Sequence, residues 1–103
     1  MNEIKWTKGE WLRQENCVYA LQDGNYNRFD LLVQAGYTDV GRTSKEEIMA
    51  TAQLIKSAPK LYESLKELYL ILHEDEHYAT YNPKMKLAEN ALKEARGEIK
   101  NDN

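Results

Sequence analysis

The sequence is poor in residues that cross-link, break or anchor a chain. Only one of its 103 residues is cysteine, Cys17, so an intrachain disulfide is excluded and a reducing compartment is the natural setting. Proline occurs twice, at Pro59 and Pro83, and glycine five times, with no segment rich in either; a linker or low-complexity region is excluded. No apolar run exceeds the five residues of Leu68 to Leu72, far short of the roughly 20 that cross a bilayer. The start, Met1-Asn2-Glu3-Ile4-Lys5-Trp6, has no apolar signal segment. A basic excess is lacking too: 14 Lys and Arg stand against 17 Asp and Glu, for a net charge of −3. Nucleic-acid binding announces itself as a basic stripe with a high pI, and a pI near 5.4 argues against it. These absences point to the cytoplasm and away from membranes.

What is present is an ordinary globular balance, 42% hydrophobic and 30% charged. The expectation is a single domain over 1–103, with a β portion at 4–40, a helical portion at 44–97 and a frayed tail at 98–103. A chain of this size buries roughly two-thirds of its surface, enough for a modest core but not for an enclosed catalytic cleft. A binding protein is expected, not an enzyme.

The first forty residues read as strands. Trp11, the run Cys17-Val18-Tyr19-Ala20-Leu21 and the run Phe29-Asp30-Leu31-Leu32-Val33 are aromatic or β-branched stretches of strand length. Asp23-Gly24-Asn25 between the last two is a hairpin signal, because glycine and asparagine accept the positive φ of a tight turn. Gly36 and Gly41 bracket a short fourth strand at Tyr37 to Val40. The period then changes to that of a helix. Ser44-Lys45-Glu46-Glu47 matches a capping box, and Ile48, Ala52 and Ile55 hold one helical face. Pro59 clashes with the carbonyl four residues back, which predicts a kink or restart near Ala58. Beyond it, Leu61, Tyr62, Leu65, Leu68, Tyr69 and Leu72 form a stripe expected to face the core. Asn82-Pro83 reads as a cap followed by proline at the first helical position, and Met85, Ala88, Leu92 and Ala95 continue that helix to Gly97. The expected fold is α+β: a small N-terminal antiparallel sheet of three or four strands, then a C-terminal helical hairpin with a shorter leading helix.

Two segments carry a resemblance. Trp6-Thr7-Lys8-Gly9-Glu10-Trp11 keeps Thr7, Gly9 and Trp11 of a His-Thr-Pro-Gly-Pro-Trp pattern and loses both prolines. Ala50-Thr51-Ala52-Gln53-Leu54-Ile55-Lys56-Ser57-Ala58-Pro59-Lys60-Leu61-Tyr62-Glu63-Ser64-Leu65 follows Ala-Asn-Ala-x-Leu-Ile-x-Ala-Ala-Pro-x-Leu-Leu-x-Ala-Leu. In it, Thr51 replaces the asparagine, Ser57 and Ser64 replace alanines and Tyr62 replaces a leucine. Ala88 to Gly97 resembles that pattern's alanine-rich final helix. The chain thus resembles a widespread family of small phage and prophage proteins. The resemblance implies a phage origin, a bacterial host cytoplasm and no shared catalytic residues; by analogy with other small phage accessory proteins, it points to antagonism of host defence.

Several constellations invite chemistry. His73-Glu74-Asp75-Glu76-His77 is a literal H-E-x-x-H, the spacing that puts two histidines on one helical face in zinc proteases. With no third histidine in the chain and polar surroundings, a solvated helix end is the better reading, and no metal or other cofactor is expected. Trp6 and Trp11 are aromatic anchors or core, Trp11 the more often core. Gly41-Arg42-Thr43-Ser44 precedes a helix start, where amides and a guanidinium could hold a phosphate, although Ser44 already serves as a cap. The ligand-binding candidates are therefore Trp6, Trp11, Tyr37, Arg42, Thr43 and Ser44. Leu70 and Ile71 lie off the stripe, and a homo-oligomeric interface, most simply a dimer, is expected to cover them. Cys17, in an apolar strand, is read as inert core. The expected activity is stoichiometric binding: sequestration of a small nucleotide signal, anti-CRISPR-type blocking of a defence protein, or a regulatory or structural phage role without anti-defence activity.

Overall fold

The computed structural model describes residues 4–21, 27–74 and 82–98. Among the described residues, five strands come first: β1 (Trp11–Gln14), β2 (Cys17–Leu21), β3 (Asn27–Leu32), β4 (Tyr37–Thr38) and β5 (Gly41–Arg42). The described helices follow, α1 (Lys45–His73) and α2 (Pro83–Ala95). The fold is α+β, with all described strands before all described helices. The chain divides into two compact units, one of residues 7–59 and one of residues 1–6 with 60–103.

In the sheet unit, β1, β2 and β3 form an antiparallel sheet in that order, and β4 pairs with β5 in a separate two-stranded ribbon. The register explains the burial. Ala20 lies between Trp11 and Phe29, and Val18 between Arg13 and Leu31. Successive residues alternate faces, so Val18 and Ala20 share one face and are buried, while Cys17, Tyr19 and Leu21 point the other way. Cys17 is accordingly part-exposed, not the buried core residue expected of it. The β1–β2 connection places Glu15 at φ 54°, a left-handed conformation that costs a side-chain-bearing residue about 1 kcal/mol. Asn16 holds that turn: its side-chain amide donates to the Val33 carbonyl at 3.0 Å, and its own carbonyl accepts from Val33 N at 2.9 Å. The expected Asp23-Gly24-Asn25 turn lies outside the described residues.

Helix α1 starts as its sequence predicts, with the Glu47 amide donating to Ser44 Oγ at 3.2 Å. Ser44→Ala should lower stability by about 1 kcal/mol in urea unfolding, an order typical of such caps; an unchanged midpoint would place the start elsewhere. The expected break at Pro59 is not there. α1 runs 29 residues without interruption across the proline, so the leading helix and the second helix are one. Proline removes one backbone donor and costs roughly 3 kcal/mol within a helix. Tertiary burial on both sides of it, Ala52 before and Tyr62 after, offsets that local loss.

The helical unit is built on Tyr62, Tyr69, Met85 and Leu92, with Ile4, Trp6, Leu65, Leu72 and Ala88 packed against them. Helix α2 begins at Asn82, whose Oδ1 accepts from Lys84 N at 2.9 Å, with Pro83 in the first turn. It closes with Glu98 N donating to Lys93 O and Gly97 N to Glu94 O, Gly97 sitting at φ 81°, where glycine is unstrained. The stripe expected to face the core is split. Tyr62 and Tyr69 are buried, but Leu61 and Leu68 are each 55% exposed. The two tyrosines take the centre of the buried face, which turns the leucines preceding each of them toward solvent.

Candidate functional site

The six residues singled out as a ligand site fall in both units. Trp6 belongs to the helical unit, its ring edge-on to Tyr62 at 4.7 Å. Trp11 lies in the sheet unit, where its indole N–H donates to the Thr7 carbonyl at 2.9 Å and its ring meets Phe29 at 5.0 Å. Both are half-buried packing groups with their polar or ring contacts already made.

The other four lie on one short segment. The β4–β5 ribbon pairs Tyr37 with Arg42 and Thr38 with Gly41. Residues directly opposite in an antiparallel pair project to the same side, so the Tyr37 phenol and the Arg42 guanidinium share one face of the ribbon. Gly41, at φ 126°, takes a backbone conformation that only glycine adopts readily, which lets the chain reverse within two residues. The Thr38 hydroxyl donates to Gly41 O at 2.9 Å and accepts from Val40 N at 3.2 Å. Thr43 closes the base: its hydroxyl accepts from Gly36 N and donates to Gly36 O, both at 3.1 Å, while Thr43 N donates to Gly36 O at 2.9 Å. Ser44 is occupied as the helix cap.

Thr43 and Ser44 thus serve as structural supports, their hydroxyls engaged with Gly36 and the Glu47 amide. The result is a braced ribbon carrying Tyr37, 86% exposed, and Val40, 96% exposed, with Arg42 also exposed. Val40 was missed by motif reasoning, although an aliphatic residue inside the turn sequence Asp39-Val40-Gly41 is itself a signal.

In the helical unit the polar groups are committed to structure. The Arg96 guanidinium donates to the Tyr62 hydroxyl at 2.9 Å and pairs with Glu98, both of which hold it further into its charged range. Glu89 accepts from Lys93 at 2.9 Å and lies 3.9 Å from Lys86. The Lys93 hydrogen bond holds the Glu89 carboxyl below its ordinary value, against an opposing push from burial. Burial, then the negative charge of Glu89 and the hydrogen bond to it, raise Tyr69. A carboxylate with a depressed folded pKa adds stability above its unfolded value, near 4.3, and loses it as pH falls through the folded value. Glu89→Gln should therefore flatten the acid limb of the stability curve below about pH 4.5; a limb identical to the parent's would mean that the Lys93 contact contributes nothing.

An apolar groove of about 250 Å³ opens beside this network, lined by Leu65, Leu68, Tyr69, Leu72, Asn82, Lys84, Met85 and Ala88. Of the H-E-x-x-H, His73 ends α1 against the Tyr69 ring at 5.3 Å, and Asp75 to His77 lie outside the described residues. Among the described residues no group of three potential metal ligands comes together, and no helix is long and apolar enough to cross a membrane. Of the two residues proposed for a homo-oligomeric contact, Leu70 is 43% exposed and Ile71 68%. One helical residue turns about 100°, so they do not share a face.

A small antiparallel sheet with a braced, exposed ribbon in one unit and a helical pair in the other define an α+β protein. Over residues 1–99 the chain matches the model of a phage family, described as Salmonella phage P22 protein Y8K6, and it belongs to that family. No curated protein and no solved structure matches it.

Proposed function

We propose that this phage protein acts without catalysis, by stoichiometric binding that antagonises bacterial host defence, and that the β4–β5 ribbon is its contact element. The observation that carries the reading is the exposure of Tyr37, Val40 and Arg42 on a ribbon braced by Thr38 and Thr43. Tyrosine and arginine are the residue types that dominate protein interfaces, and a rigid mount lowers the entropy lost on docking. Because Tyr37 and Val40 stand almost fully in solvent, the ribbon suits a protein surface, as in anti-CRISPR-type blocking of a defence complex. The second reading, sequestration of a nucleotide signal, is favoured by one feature: a phenol ring and a guanidinium on the same face can stack a base and pair a phosphate.

The test is native mass measurement of the full chain purified from a host with active defences, beside Tyr37→Ala and Arg42→Ala variants. The protein-blocking reading expects a host protein bound at fixed stoichiometry and lost from both variants. The nucleotide reading expects a small-molecule adduct and a ligand-dependent rise in melting temperature. Neither result, with both variants folded, would leave a regulatory or structural phage role and end the anti-defence proposal.

A further inference from the structure

Along α1 in the helical unit, Leu61, Ser64, Leu68 and Ile71 fall within about 80° of one another on the helix surface, and Leu70 turns to the far side. The three apolar members are 55%, 55% and 68% exposed. One border of this strip is Leu65 and Leu72, which line the apolar groove together with Leu68. The other border is Lys60 and Glu67, both exposed and neither ion-paired to any described residue. Glu63 and Lys66, further round the same helix, do pair with each other at 3.6 Å.

These positions have a symmetry. Leu61 and Leu68 are equidistant from a point between Ser64 and Leu65, and Lys60 and Glu67 are equidistant from a point one residue earlier. An antiparallel second copy of α1 crossing near Ser64 therefore sets each Leu61 against the other copy's Leu68. It also sets each Lys60 beside the other copy's Glu67, twice per pair. Ser64, small and at the crossing, permits close approach. A parallel arrangement instead opposes lysine to lysine and glutamate to glutamate. We infer that this face of α1 is a self-association surface, occupied by an antiparallel second copy of the chain. This inference is independent of the ribbon and of the host ligand it takes.

Sedimentation equilibrium of the full chain at tens of micromolar tests it. The expected wild-type mass is that of a dimer, with Leu68→Asp monomeric at unchanged helical circular dichroism and Leu70→Gln, on the far side, still dimeric. Lys60→Glu and Glu67→Lys should each weaken the dimer by about tenfold, a scale set by two rim charge pairs turned repulsive. Combined in one chain they should restore it, because each altered residue again meets its opposite. A monomeric wild type overturns the inference, as does a dimer indifferent to Leu68→Asp. A double variant no better than the singles overturns the antiparallel arrangement.

Discussion

Val18→Asp should abolish the fold of the sheet unit. Val18 has no exposed surface, sits on the central strand of three and faces the same side as Ala20. A carboxylate there is stripped of water with no counter-charge, a loss on the order of 4 kcal/mol or more. A domain of this size has about 5–15 kcal/mol in total. Amide hydrogen exchange is the informative readout, because the protection of β1, β2 and β3 should collapse together. Val18→Ala, which only removes methyl groups, should be milder. Slow exchange persisting across β2 in the aspartate variant would show that the side chain finds solvent and that this face is not the buried one.

Leu92→Ala should be the most damaging truncation in the helical unit. Leu92 is 1% exposed and belongs to the cluster with Tyr62, Tyr69 and Met85. Leucine-to-alanine changes at closed sites lose the transfer energy and leave a cavity, together about 2–5 kcal/mol. For a domain of about 100 residues, a loss of about 3 kcal/mol lowers the melting temperature by roughly 12–24 °C. Leu87, on the same helix but 67% exposed, is the matched control, and Leu87→Ala should change stability by no more than about 0.5 kcal/mol. Equal effects at the two positions would mean that α2 presents a different face to its core.

The elements were legible where their causes are local. Ser44 caps α1, Asn82 with Pro83 opens α2, and Gly97 closes it, because each acts on amides or dihedrals within four residues of itself. The order of strands before helices followed equally from short-range periodicity. Features that sequence reading did not reach depended on partners distant in sequence. Glu15 holds a left-handed turn that its own side chain disfavours, because Val33 anchors the neighbouring Asn16. The candidate site was legible in part. Tyr37 and Arg42 were found as residue types, but whether Thr43 and Ser44 were free to bind depended on bonds to Gly36 and Glu47.

By itself, then, the sequence determined the α+β class, the start of α1, both ends of α2 and the phage kinship. Each rests on contacts between near neighbours or on pattern alone. Tertiary structure decided the rest. It carried α1 through Pro59 as one helix, since burial of Ala52 and Tyr62 outweighs a local helix preference. It took Trp6 into the helical unit against Tyr62 and left Trp11 in the sheet unit, two outcomes that the same residue type cannot distinguish beforehand. It also chose which side of an evenly apolar helix is buried. Tyr62 and Tyr69 turn inward with the polar partners their hydroxyls require, Arg96 and Glu89, and Leu61 and Leu68 are left outside. Periodicity shows that a helix has an apolar side, but where that side is broad, only the placement of the facing helix and its hydrogen-bond partners selects the buried line.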